Sequence, residues 1–221
     1  MIIEKDGNRT AKFFVSLIFT VLLAFVVKMN FGYAEFLDSM VVTAVQKSPS
    51  GFLNTFYTMV SFLASPTLDI IWIFIIAFFL WGFHYRIPAL WSILTLAGAD
   101  VVGFLVKNVI RRARPIDHLK SDDGFSFPSG HVLGMFIVLA VIWIMVVPLI
   151  QSATKQFVLK VIIVMVMILV MMSRVYLNAH YPSDTLGAAL VAYTWLLFAE
   201  NLYPRLAPKL NEWPLIGGNK Y

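Results

Sequence analysis

Residues 132–150 read VLGMFIVLAVIWIMVVPLI, nineteen positions without one charged side chain. At 1.5 Å per helical residue, a run of that length matches the hydrocarbon core of a bilayer, about 30 Å thick. Composition decides between a membrane span and the buried helix of a soluble protein. Of 221 residues 60% are hydrophobic and 13% are charged, where a soluble domain carries about 25% charge. That little charge does not keep a globular surface wet, so the bilayer is the solvent. The absence of cysteine excludes disulfides, thiolate metal sites and a cysteine nucleophile. A formal charge of +5 suits anionic lipid or phosphate, and no pattern points to nucleic acid as a partner.

Working outward from that run, the same test finds six candidate spans, at residues 13–27, 67–83, 87–106, 132–150, 157–172 and 183–203. The stretch 52–64 mixes Phe, Tyr, Leu and Met with Asn, Thr and Ser, and reads as an interfacial helix or a loop packed on the bundle. The opening MIIEKDGNRTAKFF has the look of a signal peptide. FGYAEF (31–36) is a poor cleavage site, however, so the first span is expected to be retained. The expected fold is all-α: a polytopic membrane helix bundle with about six transmembrane helices and an interfacial helix, forming one domain over 1–221.

Charge alone does not orient this bundle. With cytoplasmic termini, nine Lys and Arg lie inside and eight outside. Six of those eight fall between Lys107 and Lys120 or at Arg174. Setting those aside as members of a site leaves nine against two and favours cytoplasmic termini. Under either orientation, residues 107–131 and 174–184 share one membrane face.

Three ionisable clusters lie on that face. In KNVIRRARP (107–115), Lys107, Arg111 and Arg114 share one side of a helix that continues past the third span, and Pro115 stops it. Taken alone this is also a snorkelling basic collar. In FSFPSGH (125–131) a turn leads into a helix N-terminus, where free N–H groups and the helix dipole attract an anion. Ser129 is placed to cap that helix and Gly130 to admit close backbone approach, although a capped helix with an interfacial His131 also accounts for the pattern. In MMSRVYLNAHYPSDTLG (171–187), Pro182 opens the last span, and Asp184 falls in its first turn, where a carboxylate is favoured anyway. Together the clusters hold cations for non-bridging oxygens, a helix N-terminus and two histidines with a carboxylate near one of them. Those parts suit chemistry on a phosphate ester.

Lys107-x6-Arg114-Pro115, then Pro128-Ser129-Gly130-His131, then Ser173-Arg174-x5-His180-x3-Asp184 resemble the three-part signature of the type 2 phosphatidic acid phosphatase (PAP2) superfamily, which is similar in its core to acid phosphatases and vanadium haloperoxidases. Every signature position matches, in order, over residues 107–184. The resemblance implies that His180 attacks phosphorus and becomes a phosphohistidine, and that Asp184 orients it. It implies that His131 protonates the leaving alkoxide and then activates water. Lys107, Arg114 and Arg174 are implied to clamp the phosphate, with help from Ser129 and the Gly130 amide. The family works without a metal or other cofactor, and its membrane members act on lipid phosphates, generally at the extracytoplasmic face. A bacterial cell membrane is the expected setting, given the short loops and small size.

Undecaprenyl diphosphate, phosphatidylglycerol phosphate and phosphatidic acid are all open as substrates, and oligomeric state is unread. A phosphotransferase would use the same residues, and a lipid or anion transporter would use the cations alone. Outside the signature, Asp69 and Asp100 lie in or near the ends of predicted spans, where an acid is a functional candidate; Asp100, seven residues before Lys107, is read as pairing with a polar neighbour, with tuning of the site as the alternative. Arg111 and Arg112 are read as a solvated basic loop, with contact to a second phosphate or anionic lipid as the alternative. Asp117, His118, Asp122 and Asp123 could be drawn as a metal cluster with His131, but are read as a polar loop, and no metal site is expected.

Overall fold

The computed structural model describes residues 2–47, 50–116, 118, 122–214 and 216. Among the described residues there is no strand. Eight α-helices follow in order: α1 (Arg9–Lys28), α2 (Gly32–Gln46), α3 (Gly51–Leu63), α4 (Pro66–Gly82), α5 (Arg86–Ile110), α6 (Gly130–Val141), α7 (Ala153–Tyr176) and α8 (Pro182–Leu210). The bundle is the expected all-α membrane architecture. Five segments are long and apolar enough to cross a bilayer, and the pair α3 and α4, bent by 53°, makes a sixth when taken as one broken span.

Helix α8 is the axis of the bundle, packing against α1, α5, α6 and α7. Its buried face is built from small residues, Gly187, Ala188, Ala192 and Ala199, so neighbouring helices come close. The ring of Phe127 occupies the space that a Cβ on Gly187 would need, and this pins the 125–129 segment onto the start of α8. Away from the axis, Phe14, Ile18, Phe19 and Leu22 of α1 and Phe74 and Phe78 of α4 are exposed, as side chains facing lipid should be.

Four departures from the sequence reading have local causes. The α5 helix ends at Ile110, earlier than expected, because Arg111 adopts the left-handed conformation (φ 55°). Arg112, Ala113 and Arg114 are therefore non-helical, and Lys107 and Arg114 do not share a helical side. Pro148 removes a backbone donor from the fourth span, and α6 passes through a π-helical turn (Ile142–Val146) and a 3₁₀ turn (Val147–Leu149). The last span runs to Leu210 through Pro204 and Pro208. Helix α2 was not expected at all. Its apolar side chains Tyr33, Phe36, Leu37 and Met40 are exposed, and the one residue it buries is Asp38.

Candidate active site

The C-terminus of α7 aims His180. Asn178 turns the chain with a positive φ of 56°, and the N–H groups of Ala179 and His180 return to the Arg174 carbonyl at 3.0 and 3.2 Å. Tyr181 and Pro182 then start α8, so the imidazole is held between two helix ends and is 2% exposed. Its Nε2 lies 3.3 Å from Arg114 Nη1. A guanidinium only donates, so Nε2 is the unprotonated nitrogen and the proton resides on Nδ1. Nδ1 faces Ser126 Oγ at 3.4 Å and Asp184 Oδ2 at 3.7 Å. Burial is the main reason that the His180 pKa is lowered to about 4; Asp184 opposes the shift, and Arg174 and Arg114 add to it. The imidazole is thus neutral at neutral pH, with its lone pair on Nε2 directed at the cations.

Asp184 is fully buried and fully partnered. Oδ2 accepts from the Tyr181 backbone N–H at 2.9 Å, the cap expected of an acid in a first turn, and from the Ser126 hydroxyl. Oδ1 accepts from Arg112 Nη1 at 2.7 Å. Arg112 is not a solvated loop residue. Its other nitrogen donates to Asp38 Oδ2 at 2.7 Å, and its guanidinium stacks 4.0 Å over the Tyr181 ring. Burial works against its charge, but Asp184 and Asp38 prevail and raise its pKa.

The remaining cations converge beside His180. Arg114 is fixed by the carbonyls of Ala179, Asp123 and Gly124 at 2.9, 2.8 and 3.1 Å. Arg174, only 4% exposed, donates to Ser61 Oγ and to Asp122 Oδ1 at 2.9 Å, while its Nε has no partner. Lys107 makes no ion pair among the described residues, and its nearest charges are Arg114, Asp184, Arg174 and Asp122. The field at His131, in the first turn of α6, comes from Arg174, His180, Asp122 and Arg114. Ser129 stands at the N-cap of that helix with its hydroxyl buried and unpartnered, and does not cap it. The Ser129 N–H reaches the Asp184 carbonyl at 3.3 Å, which fixes the turn before Gly130 against α8.

All eight residues singled out in the sequence therefore gather at one end of the bundle. His180 and Asp184 adjoin, Arg114 and Arg174 flank them, and Lys107, Ser129, Gly130 and His131 line the same end. Three supporting groups escaped the sequence reading: Asp38, Ser126 and Ser61. An acid inside the apolar run FLDSMVV (36–42) was a legible signal for Asp38. Ser126 and Ser61 carry no such signal, since hydroxyls are common in apolar segments. Asp69 is buried with both carboxylate oxygens unpartnered. The metal-cluster alternative gains no support among the described residues, where no three His, Asp or Glu side chains converge. His118 bonds the Pro115 carbonyl and Asp122 pairs with Arg174, while Asp117 and Lys120 lie outside the described residues.

The chain is similar to known proteins both in sequence and in fold. The model of the PAP2 superfamily matches residues 88–207, a little over half of the chain. Phosphatidylglycerophosphatase B of Haemophilus influenzae is 33% identical over 108 residues, which span 47% of this chain and 42% of that protein. The chain thus matches under half the length of this relative. The crystal structure of a transmembrane PAP2 type phosphatidylglycerolphosphate phosphatase from Bacillus subtilis superposes with a TM-score of 0.79 at 23% identity, over 88% of this chain and 97% of that one. LpxE of Aquifex aeolicus aligns with a TM-score of 0.56 at 20% identity, over 76% and 95%. Both structural likenesses bear on the fold.

Proposed function

The chain belongs to the PAP2 superfamily, and from that premise we propose that it is an integral membrane lipid phosphatase acting through a phosphohistidine. The observation that carries the reading is His180: buried between two helix ends, its Nε2 3.3 Å from a guanidinium and its Nδ1 facing an anchored carboxylate, an arrangement that fits a neutral imidazole with its proton on Nδ1. A binding protein has no need of that tautomer, whereas a nucleophile does.

In the proposed reaction the phosphate enters among Lys107, Arg114 and Arg174, which neutralise its non-bridging oxygens and supply the charge stabilisation that the transition state needs. The unpartnered Ser129 hydroxyl and the Gly130 N–H at the α6 N-terminus complete the cradle. The Nε2 lone pair of His180 forms a bond to phosphorus as the bond to the leaving oxygen breaks, and His131 gives that oxygen a proton. His131 then takes a proton from water, the hydroxide attacks phosphorus, the P–N bond breaks and inorganic phosphate departs. Asp184 balances the positive imidazole while the intermediate lasts. In this scheme Lys107, Arg114 and Arg174 supply the charge and His131 moves the proton, and no step is assigned to a metal.

The substrate class is a lipid phosphomonoester or diphosphate whose tails stay in hydrocarbon while its headgroup reaches the cations. The names of the relatives make phosphatidylglycerol phosphate the first of the three candidates to test. The site is proposed to face the extracytoplasmic side, with the termini in the cytoplasm. Phosphate release by the detergent-purified protein should be measured on phosphatidylglycerol phosphate, phosphatidic acid and undecaprenyl diphosphate, with EDTA present and His180→Ala in parallel. Release that survives EDTA, is blocked by orthovanadate and vanishes in the variant is expected. Release that needs added metal, or persists without His180, would refute this mechanism.

A further inference from the structure

Helix α2 hides a single carboxylate, and that carboxylate is wired to the nucleophile. Asp38 is 3% exposed on a helix whose apolar side chains otherwise point outward. Its Oδ1 accepts from the Ser183 backbone N–H at 2.9 Å, in the first turn of α8. Its Oδ2 accepts from Arg112 Nη2 at 2.7 Å and from the Ser183 hydroxyl at 2.5 Å. Arg112 Nη1 in turn donates to Ser183 Oγ and to Asp184 Oδ1, both at 2.7 Å. Every acceptor oxygen of the two carboxylates is thereby engaged, with one guanidinium between them.

The charges in this chain matter as much as the contacts. Arg112 alone, fully committed to Asp184, would cancel the negative charge that His180 needs when it becomes cationic. With Asp38 on its other side, Arg112 is shared, and the trio keeps one net negative charge beside the imidazole. We propose that Asp38 is a positioning residue for the reaction: through Arg112 and Ser183 it sets both the orientation of Asp184 and the charge that Asp184 presents to His180. Asp38 touches neither substrate nor His180, and its influence passes through those two side chains. The inference rests on the phosphatase reading for its effect on rate, but not for its effect on the imidazole.

Asp38→Asn keeps the shape and the acceptor for the Ser183 N–H, but it removes the charge and sets an NH2 against Arg112 Nη2 where Oδ2 accepted. The expected result is a kcat lower by about 10- to 100-fold, as displaced catalytic groups cost, with KM within about twofold of the wild type. Asp38→Ala should lose about the same factor as Asp38→Asn. Arg112→Gln should also lower kcat, and adding Asp38→Asn to it should cost little more, because the two act through one path. Unchanged kcat in Asp38→Asn, a loss confined to KM, or losses that multiply in the double variant would each overturn the proposal.

A second readout needs no turnover. The chain has four histidines, so ¹⁵N-histidine NMR in micelles resolves His180, assigned by its absence from His180→Gln. The wild type should show one neutral tautomer with the proton on Nδ1, and Asp38→Asn a mixture of tautomers. An unaltered His180 signal in Asp38→Asn overturns the positioning role. A wild type that releases no phosphate from any lipid sinks the phosphatase reading, and the tautomer of His180 still decides whether Asp38 acts on it.

Discussion

The two ends of α8 use the same kinds of charge to opposite purposes. At its C-terminal half, Arg9 pairs with Glu200 at 2.9 Å and Lys12 with Asp6 at 2.9 Å, two cations matched by two anions. Those four side chains border an apolar crevice of about 450 Å³ between α1, α6, α7 and α8. Volume and charge are both present there, yet no histidine lines the crevice, and both cations that border it are paired. At its N-terminal end the pairing is incomplete. Asp38 and Asp184 share Arg112 and Asp122 holds Arg174, while among the described residues Lys107 and Arg114 make no ion pair and the Ser129 hydroxyl has no partner. A matched cluster staples helices together; an unmatched one, with a neutral imidazole in it, waits for an anion.

The sharpest way to break this contrast is at His180. His180→Ala removes the lone pair and leaves the cations, so phosphate release should fall by at least about 10⁴-fold. Orthovanadate should still bind, detected as a thermal shift, because the clamp is intact. Turnover that survived the substitution would reduce the N-terminal end to a second staple.

Removing one cation comes next. Arg174→Gln and Arg114→Gln each take one charge-assisted contact from the transferring phosphoryl group, and kcat/KM should drop by about 10²- to 10³-fold. Lys107→Met tests a cation that makes no ion pair among the described residues, and the same range is expected. In Lys107→Met no ion pair of the fold is disturbed, so its melting temperature should hold while activity falls. A melting temperature that fell with the activity would show Lys107 to be a structural cation after all.

The acid limb of the pH profile follows from the buried imidazole. The His180 pKa of about 4 lies below the ordinary 6.5, so the nucleophile stays deprotonated as the pH falls through 6.5 and is lost only near 4. After allowance for the second ionisation of the substrate phosphate, near 6, kcat/KM should bend near pH 4. Asp184 is what holds the value up, so Asp184→Asn should move the bend lower still, along with its large loss of rate. A bend at 6.5 would mean that the imidazole is open to water, against its 2% exposure.

What was legible in the sequence divides along the same line as the chemistry. Spans could be read because bilayer thickness imposes a length, and His180, Asp184, Arg114 and Arg174 because they fall in motifs that resemble a known family's signature. The frame behind them could not. Asp38 and Ser61 reach the site from helices 145 and 113 positions away from the groups they bind, and no local pattern announces such a contact. Arg112 looked like its neighbour Arg111 and proved different. A left-handed residue at 111 sends one side chain outward, where its Nε binds the Asn108 carbonyl, and the next inward to Asp38 and Asp184. Helix α2 was missed because its apolar side chains face away from the protein, so its pattern is that of a surface helix in lipid.

A smaller effect is expected at Asp122, which pairs with Arg174 and leaves its own Oδ2 buried without a partner. An entering phosphate must take that guanidinium from it. Asp122→Asn should therefore tighten inhibition by inorganic phosphate by about two- to tenfold, the range of a weakened charge-assisted bond. A weakened inhibition would mean that Asp122 serves to hold Arg174 in place for the phosphate and does not compete with it.

The least effect on activity belongs to the balanced end, and it completes the comparison. Arg9 donates to Glu200 Oε2 and to the Glu4 carbonyl at 2.8 Å, and its side chain and that of Glu200 are 11% and 15% exposed. Arg9→Met leaves Glu200 largely buried without its counter-charge, which costs about 3 kcal/mol and should show as a lower melting temperature in detergent. Hydrolysis at a temperature where the variant is folded should match the wild type, because no side chain of the site touches this pair. The two responses would then separate cleanly: stability without activity at one end of α8, activity without stability at Lys107 near the other. Loss of turnover in folded Arg9→Met would instead mean that the ends communicate along α8, and the contrast between staple and site would fail.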